Sequence, residues 1–322
     1  MSKSFAMFAA SALTATAFAE GVTTNNYYQA SAQGTGSNTA WTYANWKLNG
    51  EGDAVAPSAG TEGESFNNYI TALGQGTGYL LRTPASGEFP GDKLTIGAAD
   101  KAGSMLMKNG VVTLKESDYI TFKNLELVQG VLSLGGTYGV HGLKVENDIL
   151  VSANADKKFY LSGAKGRSLV VNGLFASADS DALLYVMRNN IQTTTTEQNG
   201  SMLVRLDKAS PNYKGKWIVD NKADNNNYID STTDTSLEIN VADDSVLGDF
   251  PETLMEDAVT LKNGGQLSFN TGFGSSDAPF NPTNRALYVD STGGQLRNSG
   301  SQNHLYFAMM LAGTGTLTSH NK

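Results

Sequence analysis

The chain has 322 residues, no cysteine, three histidines and a formal net charge of −8. That acidic balance, with no basic cluster to offset it, excludes nucleic acid and anionic membrane surfaces as electrostatic partners; the missing cysteines exclude a disulfide framework. Glycine is abundant at 35 residues and proline scarce at 7, a bias that fits many tight turns between hydrogen-bonded strands, because glycine supplies positive φ and proline removes ladder donors.

In chain order, the first stretch, MSKSFAMFAASALTATAFAE, has the layout of a signal peptide. Lys3 gives a positive n-region, Phe5 to Leu13 an apolar core, and Ala17 with Ala19 an A-x-A site. We expect residues 1–19 to be removed, with cleavage between Ala19 and Glu20, and the mature protein to be secreted or displayed on the cell surface of a Gram-negative-type bacterium. No other run approaches the ~18 apolar residues of a membrane span, so none is expected.

Residues 20–80 are rich in Asn, Gly and Thr and sparse in apolar side chains, apart from WTYANW at Trp41–Trp46. The segment is expected to lead into the strand-rich remainder of the chain and to cap it. Its aromatic residues, Tyr27, Tyr28, Trp41, Tyr43 and Trp46, are expected to plug the first apolar layer; the competing reading is a platform that stacks on sugars.

From Leu94 onward the apolar pattern has period two in short pieces. LTIGA (Leu94–Ala98), VVTLK (Val111–Lys115), YITFKNLELV (Tyr119–Val128), HGLKVENDILVSA (His141–Ala153), KFYLSG (Lys158–Gly163) and RSLVVNG (Arg167–Gly173) come first. SMLVRLD (Ser201–Asp207), KWIVD (Lys216–Asp220), SLEINV (Ser236–Val241), AVTLKNG (Ala258–Gly264), GQLSF (Gly265–Phe269), RALYVD (Arg285–Asp290) and HLYFAMML (His304–Leu311) come after them. Each reads as a strand with one buried face. The polar stretch Ile191–Ser201 reads as a loop.

The tetrapeptide GGQL occurs twice, at Gly264–Leu267 and Gly293–Leu296, 29 residues apart. Self-similarity of this kind is the mark of stacked repeats. The expected fold is therefore all-β, a single-stranded parallel β-helix (β-solenoid) over residues 81–322. Coils of about 22 residues stacked ~4.8 Å apart would give on the order of 12 coils and a rod ~60 Å long.

Four stretches resemble the autotransporter-associated β-strand repeat proteins, abundant in the Verrucomicrobia–Lentisphaerae group. They are LRTPASGEFPGDKLTIG (Leu81–Gly97), LDKASPNYKGKWIV (Leu206–Val219), the segment Ser236–Leu267, and LAGTGTLTSHNK (Leu311–Lys322). The resemblance implies a right-handed parallel β-helix of passenger type, with Gly215 at a tight corner. It also implies a helix incomplete at its C-terminus in this chain, since the repeat normally continues and a transmembrane barrel normally comes after it.

Candidate chemistry is sparse. His141 and His304 read as surface or turn residues and His320 lies near the end of the chain, so none suits a Ser-His-Asp arrangement, and no zinc spacing occurs. Asp220, Asp224 and Asp230 in DNKADNNNYID, and Asp243-Asp244, supply oxygen ligands suited to Ca²⁺ if they fall on adjacent coils; equally, such Asn/Asp runs are ordinary turn material. The expectation is no catalytic residue, no cofactor and no metal. We expect a monomer with a structural or adhesive role, whose partner class is an extracellular glycan or a host or matrix surface; the alternative is a β-helix polysaccharide lyase or glycoside hydrolase.

Overall fold

A computed structural model describes residues 21–31, 40–75, 79–107, 110–136, 139–163, 166–187, 202–221, 235–270, 279–300 and 305–321. The expected leader and the loop at Ile191–Ser201 lie outside them. The described chain is almost entirely β: two long sheets, one of fourteen strands and one of nine, joined by short turns. Among the described residues the helical elements are three 3-10 turns, at Ala40–Thr42, Glu116–Asp118 and Asp244–Leu247.

The period-two pattern explains the strands, and the strand order explains the fold. From Lys93 onward successive strands feed the two sheets alternately, apart from the split stretch beginning at Tyr119. Lys93–Ile96 lies in the long sheet, Gly103–Met107 in the short one, Leu125–Leu127 in the long one and Gly130–Leu134 in the short one. The alternation continues to Met310–Gly313 and Leu317–Asn321. Neighbours within each sheet are parallel; the exception among the named strands is Trp46–Leu48, which pairs antiparallel with Thr23–Gln29 at the first end of the long sheet. Thr23–Gln29 also pairs in parallel with Ser65–Thr71, so the leading segment contributes strands to the same sheet.

Register stacks like upon like. In the long sheet Leu169, Val204, Leu237, Leu267 and Leu296 form one inward column. In the short sheet Leu81, Met105, Leu132, Leu161, Val186, Val219, Leu261 and Val289 form another. These columns face each other across one continuous apolar core. Each buried Leu, Val or Phe contributes about 1.5–3 kcal/mol, but no single circuit closes its own core, so stability resides in the stack.

The GGQL repeat shows how the stacking is written. Gly265, Gln266 and Leu267 pair directly with Gly294, Gln295 and Leu296. Where the first copy begins, Asn263 and Gly264 turn the chain from the short sheet into the long one with φ of 52° and 79°. The Gly264 amide donates to the Gly293 carbonyl at 3.0 Å, so the corners stack as well as the strands. Gly215 serves differently. It has no positive φ, but a Cβ there would meet the Ala182 carbonyl oxygen at 2.4 Å; its role is close approach.

Several details depart from the sequence reading. Val111–Lys115 is not a strand: Val111 makes an isolated bridge to Val140, Val112 is 96% exposed, and the Lys115 amide donates to the Asp118 carboxylate at 2.9 Å to start a turn. Tyr119–Val128 is split into Tyr119–Phe122 and Leu125–Leu127, both pairing with the single long strand Gly139–Val151, whose register shifts between Lys144 and Asp148. The last short-sheet strand, Met310–Gly313, overlaps only the end of the expected His304–Leu311 span. Circuits are also longer than about 22 residues: partners in the long sheet are separated by 23 (Leu296 to Ser319) to 35 (Leu169 to Val204) from Tyr69 onward. The main path of the long sheet runs through twelve strands, eleven of them parallel, which at ~4.8 Å per step gives a stack about 48 Å long.

Candidate functional site

The outward positions of the two sheets carry different chemistry. On the long sheet, one outer column runs Ser168, Leu203, Ser236, Gln266, Gln295 and Thr318. Beside it run Val170, Arg205, Glu238, Ser268 and Arg297. On the short sheet the outer column is Val131, Tyr160, Tyr185, Ile218, Thr260 and Tyr288, with the Tyr160 and Tyr185 rings 5.2 Å apart.

The two polar columns of the long sheet border a cleft of about 280 Å³. Its floor is Ser236, Glu238, Gln266 and Ser268, all at most 5% exposed, and its lining includes Leu203, Arg297 and Ser299. Neighbouring levels bond to one another. The Ser236 and Ser268 hydroxyls lie 2.8 Å apart, and the Gln266 amide nitrogen approaches the Gln295 oxygen at 3.4 Å. Glu238 accepts from Arg205 Nε at 2.5 Å and from the Ser299 hydroxyl at 2.7 Å. Both oxygens of this nearly buried carboxylate are thus occupied by donors, one of them charged. Glu238 is the cleft's one lining carboxylate, so the pair of carboxyl groups that glycoside hydrolysis uses is not assembled within it.

Beside the cleft an amide ladder climbs the corner. Asn270 donates to Asn240 and Asn240 to Asp207, each at 2.8 Å. Burial raises the Asp207 pKa, and the Asn240 bond opposes that rise.

The residues singled out from sequence are scattered. His141, expected at the surface, is 3% exposed. It occupies an inward position in register with Leu169, and its Nε2 lies 3.0 Å from the Gly135 carbonyl. Burial there lowers its pKa to about 4, so at neutral pH it is an uncharged core residue. His320 sits in the last strand opposite Arg297; His304 lies outside the described residues. Asp220 accepts from Asn263 Nδ2 at 2.8 Å, while Asp224 and Asp230 also lie outside them. Asp243 caps the turn at Asp244–Leu247 by accepting from the Ser245 amide at 2.8 Å, and Asp244 accepts from the Asn281 amide at 2.9 Å. Among the described residues there is no cluster of three or more metal-ligating side chains.

Of the aromatic residues near the first end, Trp41 and Trp46 are 1% and 0% exposed, whereas Tyr43 is 54% exposed. Trp41 packs edge-on against Phe122 at 5.4 Å and Trp46 against Tyr69 at 5.2 Å. The two tryptophans therefore fill the core and offer no surface for stacking.

Sequence reading missed the cleft. Its residues look like ordinary solvent-facing positions of separate strands, and only a register of 29 to 33 residues brings Arg205, Glu238, Ser268 and Arg297 onto consecutive levels. Aligning the strands at the spacing of the GGQL repeat is the signal that would have found it.

By architecture the chain is an all-β protein of long parallel sheets with a polar cleft on one outer face. No protein-family profile, curated protein or solved structure matches it. No helix among the described residues is long and apolar enough to cross a membrane.

Proposed function

We propose that the chain is an exported, right-handed parallel β-helix of autotransporter-passenger type, serving as a structural or adhesive element at the cell surface without catalysis. The observation that carries this reading is the stacking of apolar residue on apolar residue: inner columns continue in register through successive circuits of alternating sheets. Such a stack bonds every internal strand on both edges and holds its outer columns at a fixed spacing of ~4.8 Å. Right-handedness follows from the preference of parallel crossover connections. Surface adhesion suits a stiff array because many weak contacts add when presented at a fixed spacing. The leader, residues 20–80 as a leading and capping segment, and 81–322 as the helix itself belong to the same proposal.

Beads coated with the purified protein, applied to epithelial monolayers and to plates of matrix protein or mucin, test the adhesive role. Retention above albumin-coated beads is expected. Equal retention on every surface removes adhesion and leaves a purely structural element.

A further inference from the structure

The cleft on the long sheet has a composition that narrows what it accepts. Its floor is four nearly buried polar side chains from two adjacent strands, Ser236, Glu238, Gln266 and Ser268. Buried polar groups are retained where they have partners, and here the partners within the protein do not use the full capacity. Two hydroxyls, with two donors and four lone pairs between them, share one contact of 2.8 Å. The Gln266 amide, with two donors and two lone pairs, makes one long contact at 3.4 Å.

The chemistry of the occupant follows by exclusion. An added peptide strand needs a free sheet edge, whereas the strands under the cleft are paired on both sides. A polynucleotide needs a basic field, and the chain carries −8. An apolar ligand would leave the spare capacity of the Ser and Gln groups without water. What remains is a molecule dense in hydroxyl groups that also has an apolar C–H face, for which Leu203 offers a wall.

We infer that the cleft binds a linear oligosaccharide lying across the strands, its hydroxyls bonded to Ser236, Gln266, Ser268 and Arg297 and one ring face against Leu203. Ser236, Gln266 and Gln295 lie on successive levels that rise by ~4.8 Å, so polar groups are offered at a fixed step across the strands, which favours an extended oligomer over a single sugar. This deepens the adhesive reading and rests on it.

The test is a glycan array followed by calorimetric titration of the best oligosaccharide. Wild type is compared with Gln266→Ala, Leu203→Trp and Tyr288→Ala, the last on the outer face of the other sheet, and circular dichroism and thermal unfolding check that each variant is folded. Binding is expected to weaken at least about tenfold in Gln266→Ala, which corresponds to about 1.4 kcal/mol. Leu203→Trp, which fills the cleft, should abolish it, and Tyr288→Ala should leave it unchanged. If wild type binds a glycan and both cleft variants bind it equally well, the cleft is overturned as the site while adhesion through another surface stands. If wild type binds none, the inference fails outright, and retention of coated beads on matrix protein decides the adhesive reading separately. A folded Leu203→Trp that keeps binding overturns the site even if Gln266→Ala does not fold.

Discussion

The first circuits and the later ones bury similar apolar columns but secure them by different means. At the first end, Trp41, Trp46, Tyr69, Phe89 and Phe122 pack ring against ring, with centroids 5.2 to 5.7 Å apart in the closest pairs. There the antiparallel strand Trp46–Leu48 closes the edge of the long sheet. Further along, the corners are clamped by buried arginines. Arg285 is 0% exposed. Its guanidinium donates to the carbonyls of Asp249, Gly215 and Tyr213 at 2.6 to 2.9 Å and to the Asp249 carboxylate at 3.0 Å. Arg167 reaches the carbonyls of Leu134 and Gly136 in the same way. An end needs a plug because one side of its core has no neighbouring circuit. A corner instead needs donors, because its carbonyls turn away from the ladders and must be satisfied.

Removing one member of each kind should separate the two ways of securing the core. Arg285→Ala strands several buried acceptors and a carboxylate, and should cost about 3–5 kcal/mol in denaturant unfolding. Arg285→Lys should recover little, since one ammonium lacks the planar fork that reaches several carbonyls. Trp46→Ala should cost a similar amount, about 3–5 kcal/mol, through the cavity it leaves. Hydrogen exchange separates the two: faster exchange around Thr23–Thr71 for Trp46→Ala, and around Tyr213–Val289 for Arg285→Ala. Uniform loss of protection in both would mean that the whole stack opens as one unit and the regional distinction is empty.

Acid should act on the middle of the stack. His141 has a folded pKa of about 4 against an ordinary 6.5, so the unfolded chain takes up the proton first. Stability is full above pH 6.5 and falls as the pH drops toward 4, by about 3 kcal/mol from this group. His141→Gln should flatten that dependence; an unchanged pH profile would show that other groups set it. The smallest effect is expected for the amide ladder. Asn240→Ala breaks two bonds of 2.8 Å and should cost about 1–2 kcal/mol. It should also raise the Asp207 pKa further, since the lost bond opposes the rise caused by burial; carboxylate titration by NMR reads this directly.

Much of the strand pattern was legible because one apolar face per strand is a local property. Ser236–Val241 and Arg285–Asp290 were read to within a residue or two of Thr235–Ile239 and Arg285–Val289. Val111–Lys115 misled because a period-two pattern says nothing about whether a neighbouring strand is there to pair. His141 misled because its flanking residues look like a strand start, while its burial is set by Leu169 one circuit later. The polar cleft was illegible for a related reason: it belongs to no single segment. The short sheet hides its outer face too, since Leu80, Leu106, Val131 and Tyr160 make a second apolar cluster where alternation predicts polar side chains.

Unequal circuit lengths carry a practical corollary. Because partners remain in register whether 23 or 35 residues separate them, the extra chain is accommodated in connections such as the exposed bend at Ala178–Asp181. A guest epitope spliced between Asp179 and Ser180 should ride on the rungs without shifting them, making the protein a ruler on which foreign peptides can be mounted at chosen heights.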